Sequence, residues 1–96
     1  MSLFVVRHQH DASTCPARDP EMGAMLLKHL SPSNARKYGI TIKGDGVLDG
    51  KHTLFMIVEA EEPVYVENFM QPFKQAGPVE VMPASECEAV VARGGC

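Results

Sequence analysis

The sequence predicts one small α+β domain whose elements run in the order β-α-β-β-α-β. Three observations lead there: period-two alternation over Leu3 to His10 and Thr53 to Glu61, two apolar stripes at helical spacing, and an acid-proline pair introducing each stripe. At 96 residues and 45% hydrophobic content the chain suits one compact core. A domain this short leaves much apolar surface uncovered unless it finds a partner, so a homodimer is expected.

The first strand sorts Phe4, Val6, His8 and His10 onto one face and Leu3, Val5, Arg7 and Gln9 onto the other. Asp11 to Asp19 lacks apolar periodicity and reads as a loop. Asp19-Pro20 then offers an N-cap and a first-turn proline, and Met22, Met25, Leu26 and His29 form the stripe of a helix over about Pro20 to Leu30. Ser31-Pro32 is read as its end. Tyr38, Ile40 and Ile42 mark a second strand, Gly44-Asp45-Gly46 a bend within or beside it, and Asp49-Gly50 a hairpin turn into the third strand, Thr53 to Glu61.

Glu62-Pro63 starts a second helix, with Val66, Phe69, Met70 and Phe73 on one face, a kink expected at Pro72 and a stop at Gly77-Pro78. Val79 to Met82 is the fourth strand. Cys87 to Ala92 is read as a short fifth one, closing a domain of residues 1–92. Arg93-Gly94-Gly95-Cys96 reads as a flexible tail. Met22, Met25, Leu26, Phe69, Met70 and Phe73 are the expected core between helices and sheet.

This order is the ferredoxin-like, split βαβ plan, in which two helices cover one face of an antiparallel four-stranded sheet. Both alternating sets of the first and third strands contain apolar residues, so the second face is expected to meet the same face of another subunit. The stretch His52-Thr53-Leu54-Phe55-Met56-Ile57-Val58-Glu59-Ala60, then Glu62-Pro63, a Phe-bearing helix and Val79-Glu80-Val81-Met82-Pro83, resembles the second half of small dimeric α/β-barrel proteins. These are fold relatives of the antibiotic-biosynthesis monooxygenases and muconolactone isomerases. The resemblance covers about half the chain and implies the fold and dimerisation; His8-Gln9-His10 and Cys15-Pro16 match no catalytic motif of those enzymes.

A net charge of −3 with nine Lys and Arg, and no basic stripe, argues against a nucleic-acid partner. The apolar run Leu3 to Val6 is too short for a signal-peptide core or a membrane span, so a cytoplasmic protein without a membrane partner is expected. Three cysteines, Cys15, Cys87 and Cys96, form no disulfide framework and fit thiols or metal ligands in a reducing compartment.

The most specific local signal is His8-x-His10-x4-Cys15. Alternate strand residues stand about 7 Å apart at their Cα atoms, so two imidazoles there can reach one ion, and a cysteine five residues on can fold back to them. His2Cys serves zinc and copper alike. Cys87 joins this set only if the last segment passes near the first strand; otherwise it is a small buried residue. His29 reads as structural, His52 as a solvated turn residue, and Glu59 as a carboxylate that is either solvated or a base on a pocket wall.

Three functions compete on these residues. The first is a dimeric metal-binding protein using His8, His10 and Cys15, with an open position for redox chemistry or a small-molecule ligand. The second is a metal-free monooxygenase or isomerase-type enzyme with a pocket between sheet and helices. The third is a copper or sulfur trafficking module. The terminal Arg-Gly-Gly resembles the diglycine end of sulfur carriers, but Cys96 follows it and a helix comes directly after the first strand, unlike their β-grasp order.

Overall fold

The computed structural model describes residues 1–96. Four strands, β1 (Ser2–Gln9), β2 (Ile40–Leu48), β3 (Thr53–Ala60) and β4 (Val79–Ala84), form one antiparallel sheet in the order β2-β3-β1-β4. Four α-helices accompany them: α1 (Pro20–His29), α2 (Pro32–Lys37), α3 (Pro63–Met70) and α4 (Cys87–Arg93). This α+β arrangement is compatible with the ferredoxin-like plan. No helix is long and apolar enough to cross a membrane.

The core lies against one face of the sheet. Phe4, Val6, Leu54, Met56, Val58 and Ala60 alternate along β1 and β3 toward the helices, and meet Val66, Phe69 and Met70 of α3 and Ala35 of α2. The other face presents Leu3, Val5, Phe55, Ile57 and Met82, none of them buried, with the ion pairs Arg7–Glu80 (3.0 Å) and Lys43–Glu59 (3.6 Å) among them. In β2 a bulge falls between Ile42 and Gly44: Ile42 pairs with Val58, yet Gly44 pairs with Ile57.

Several expectations change. Ser31-Pro32 does not merely end the first helix. The Ser31 hydroxyl accepts from the Asn34 amide and Pro32 takes the first helical position, so this pair starts α2. Gly44 to Gly46 stay within β2. The kink expected at Pro72 is a change of helix type: α3 ends at Met70, and a 3-10 stretch, Gln71–Gln75, follows.

Cys87 to Ala92 is helical, not a fifth strand. Its end is the glycine stop of a helix, with Gly94 in the left-handed conformation and donating to Val90 and Val91 carbonyls. Beyond it the Arg93 guanidinium donates to the Gly95 and Cys96 carbonyls and the Ser85 hydroxyl.

Four of the six expected core residues are buried or partly buried, and two are exposed. Phe69 and Met70 are fully buried, and Leu26 and Phe73 are partly buried. Met22 and Met25, however, are 48% and 70% exposed. They share a stripe with Leu26 and His29, but that end of α1 extends over the loop before it rather than over the sheet.

Candidate metal centre

The site forms where β1 runs out. The His10 amide donates to the His52 carbonyl at 3.1 Å, which holds the residue after β1 beside the residue before β3. Strand alternation aims His10 toward the helix side, as it does His8. His52 reaches the same space from a left-handed backbone conformation, φ +49, one that non-glycine residues seldom adopt although histidine does so more than most. The rings of His10 and His52 meet edge to face, with centroids 5.2 Å apart.

Cys15 arrives by a double turn. Two short 3-10 helices, Ala12–Thr14 and Pro16–Arg18, lie back to back, and Cys15 sits between them as the last cap of one and the first of the other. Asp11 organises the first turn: its carboxylate accepts from the Ser13 hydroxyl and its carbonyl from the Thr14 hydroxyl. The chain therefore reverses within five residues, and one ligand atom each of His10, Cys15 and His52 lie within 4.8 Å of one another.

This group can hold a metal ion. Tetrahedral nitrogen and sulfur ligands around one ion stand about 3.3 to 3.8 Å apart, so closing the triangle brings the atoms together by at most about 1.5 Å. Independent support comes from His10 Nε2, a completely buried ring nitrogen without a hydrogen-bond partner. Burying such an atom unpaired costs free energy that a ligand to it would recover.

The sequence-predicted ligands thus divide. His10 and Cys15 come together as expected. His8 is adjacent, its ring centroid 5.5 Å from that of His10, but it stands outside the triangle and its Nδ1–H donates to the Pro78 carbonyl at 3.2 Å. Cys87 lies exposed at the start of α4 and is not in the group. His52, expected in solvent, is half-buried and completes the group.

Burial sets the electrostatics. His8 is only 3% exposed, and desolvation lowers its pKa, with the Pro78 carbonyl opposing part of the effect. The His10 pKa is lowered first by desolvation and next by charge on His8 and His52, while Asp11 acts the other way. Both imidazoles therefore favour the neutral form that ligates metals.

His29 is structural. Its Nε2–H donates to the Phe69 carbonyl at 2.8 Å, its Nδ1 accepts from the Asn34 side chain at 3.3 Å, and its ring stacks on Phe69 with centroids 4.3 Å apart. With both nitrogens engaged it ties α1 and α2 to α3. Glu59 pairs with Lys43 on the opposite sheet face. No protein-family model matches this sequence, and no curated protein is similar enough to it to place it in a family.

Proposed function

We propose that this chain is a small homodimeric metal-binding protein that holds one transition-metal ion, zinc or copper, per subunit. His10, Cys15 and His52 are its ligands, and the fourth position stays open for a small molecule. The observation that carries this reading is the grouping of one ligand atom each of His10, Cys15 and His52 within 4.8 Å, together with a His10 Nε2 that is buried without a hydrogen-bond partner. Two imidazoles and a thiolate suit zinc and copper better than magnesium or calcium, which take oxygen ligands.

His8 orients the site from behind. Its bond to Pro78 fixes the ring, and its bulk walls the cavity that His10, Cys15 and His52 share. The apolar sheet face, where Val5 pairs with Ile57 and neither is buried, supports the dimer. Three free thiols fit a reducing compartment and support a cytoplasmic location.

Metal analysis of the purified protein, followed by titration of the metal-free form with Co(II), tests the centre. The expected result is about one equivalent per chain, as one three-ligand site per subunit requires, with a thiolate-to-cobalt charge-transfer absorption that Cys15→Ser abolishes. Binding without that absorption, or absorption retained in C15S, removes Cys15 from the centre.

A further inference from the structure

A second cavity, of about 320 Å³, opens beside the candidate metal centre, between α1 and the 3-10 stretch after α3. Met22, Met25, Leu26, Pro72, Phe73 and Ala76 form most of its wall, and no Asp, Glu, Lys or Arg lines it. It adjoins the smaller cavity of about 100 Å³ lined by His10, Cys15 and His52, the side chains of His8, Pro16, Leu26 and Phe73 belonging to the lining of both.

We propose that this cleft is a binding site for a small, neutral, mainly apolar molecule that carries one nitrogen, oxygen or sulfur lone pair, the apolar body lying on Met22 and Met25 and the donor atom completing the metal's coordination. The proposal rests on the metal reading for its donor atom and on the cleft alone for its apolar body.

Four features define that ligand. The volume is at the small end of organic-ligand sites, which run from about 300 to 1,000 Å³, and suits a molecule of one or two rings. With no Asp, Glu, Lys or Arg in the lining and Thr14, His8 and His29 as its polar members, the wall gives an ionic group of the ligand no carboxylate, ammonium or guanidinium partner, a desolvation cost that favours neutral molecules. Methionine side chains are flexible and polarizable, so they adapt to flat or irregular apolar shapes. Three protein ligands around a tetrahedral ion leave one position to fill, and the cleft adjoins the cavity those three residues line.

The cleft also accounts for the exposure of the α1 stripe. Met22 and Met25 are two large apolar groups of α1 that the core does not use and that face the cleft. A ligand over them would bury what the fold leaves open.

The probes are imidazole and 4-phenylimidazole, which share a donor nitrogen and differ in one apolar ring, titrated into the Co(II)-loaded protein by absorption. Phenylimidazole is expected to bind about tenfold or more tightly, the gain that burying most of a phenyl ring gives. The double variant M22Q/M25Q, altered only at exposed positions, should lose that preference and keep the affinity for imidazole. Equal affinities in the parent protein, or an undiminished preference in the variant, overturn the cleft.

Methionine-methyl NMR of the metal-free protein separates this proposal from the metal reading. Phenylimidazole should move the Met22 and Met25 resonances and leave Met82, on the opposite sheet face, in place. Unmoved Met22 and Met25 methyls overturn the cleft whatever the metal does. Moving methyls without any cobalt-thiolate absorption overturn the metal centre and the donor-atom requirement, while supporting the apolar site.

Discussion

Gly77 packs its Cα directly against the carbonyl of Gln9, leaving no room for a Cβ. The contact fixes the loop before β4 on the end of β1, one residue from His8 and one from His10. Pro78, next in the chain, accepts from both the Gln9 amide and the His8 ring through its carbonyl.

Gly77→Ala should therefore destabilise the protein by about 1 to 3 kcal/mol, the range for forced overpacking, and toward its upper end because the opposing atoms cannot yield. The obstacle is backbone, so rotamer changes give no relief. Urea denaturation measures the loss, and a change under about 0.5 kcal/mol, the size of ordinary surface substitutions, would show that the loop has room to move.

At the metal centre, His10→Ala, Cys15→Ser and His52→Ala should each weaken Co(II) binding by more than about a hundredfold, above the range typical of residues that only orient ligands. His8→Gln should weaken it by about tenfold. Competition against a chromophoric chelator gives the constants. A large loss for His8 with none for His52 would return the site to the His8-x-His10 pair at the end of β1.

His29→Ala should leave metal affinity unchanged and cost about 1 to 3 kcal/mol of stability, since it strands the Phe69 carbonyl and removes the Asn34 contact. Thermal melts of the metal-free protein read the cost.

The pH dependence of the metal-free protein follows from His8 and His10, whose folded-state pKa values lie below the ordinary 6.5. Between the folded values and 6.5 the unfolded chain binds protons that the folded chain does not, so stability rises with pH across that window. The contribution is fully present above 6.5 and is lost as the pH falls through the folded values. Denaturation at pH 7.5 and 5.5 should show the fall, and His8→Gln should reduce it; an equal fall in H8Q would assign it to other groups.

Ile57, 45% exposed on the open sheet face, provides the oligomer test. Light scattering should report a dimer for the parent protein, and a monomer at micromolar concentration for Ile57→Lys, because an unpaired ammonium in an apolar interface has no compensating partner. A parent monomer removes the dimer from the proposal.

Much of the fold was legible because strands alternate and acid-proline pairs mark helix starts. β1, β3 and α1 fall within about a residue of where periodicity sets them, and α3 starts at its acid-proline pair but ends at Met70, short of the expected stop at Gly77. Ser31-Pro32 misleads because the same pair ends one helix and caps the next. Cys87 to Ala92 misleads because Val90 and Val91 favour a strand locally, whereas Glu86 before the segment and Gly94 after it are helix boundaries.

At the site, the sequence spacing reveals His10 and Cys15, joined by a short loop. His52 is distant in sequence, and its entry depends on a left-handed backbone conformation and on the β1–β3 register, neither of which a motif records. Asp49-Gly50 announces the turn, but not that the residue two positions later faces back toward β1.

The bulge in β2 acts as a parity switch. Before it, Ile40 and Ile42 share a side with Val58 and Ala60; after it, the count is shifted by one, and Val47 pairs with Leu54 on that same side. An uninterrupted strand would send Val47 to the opposite face and open the wall of the His10 cavity that it now forms. Pairing Lys43 regularly with Ile57 would invert every residue from Gly44 to Leu48 or slide the hairpin by one position. Either outcome moves the tip that carries His52, so one extra residue in a strand far from Cys15 sets whether the cavity has its third corner.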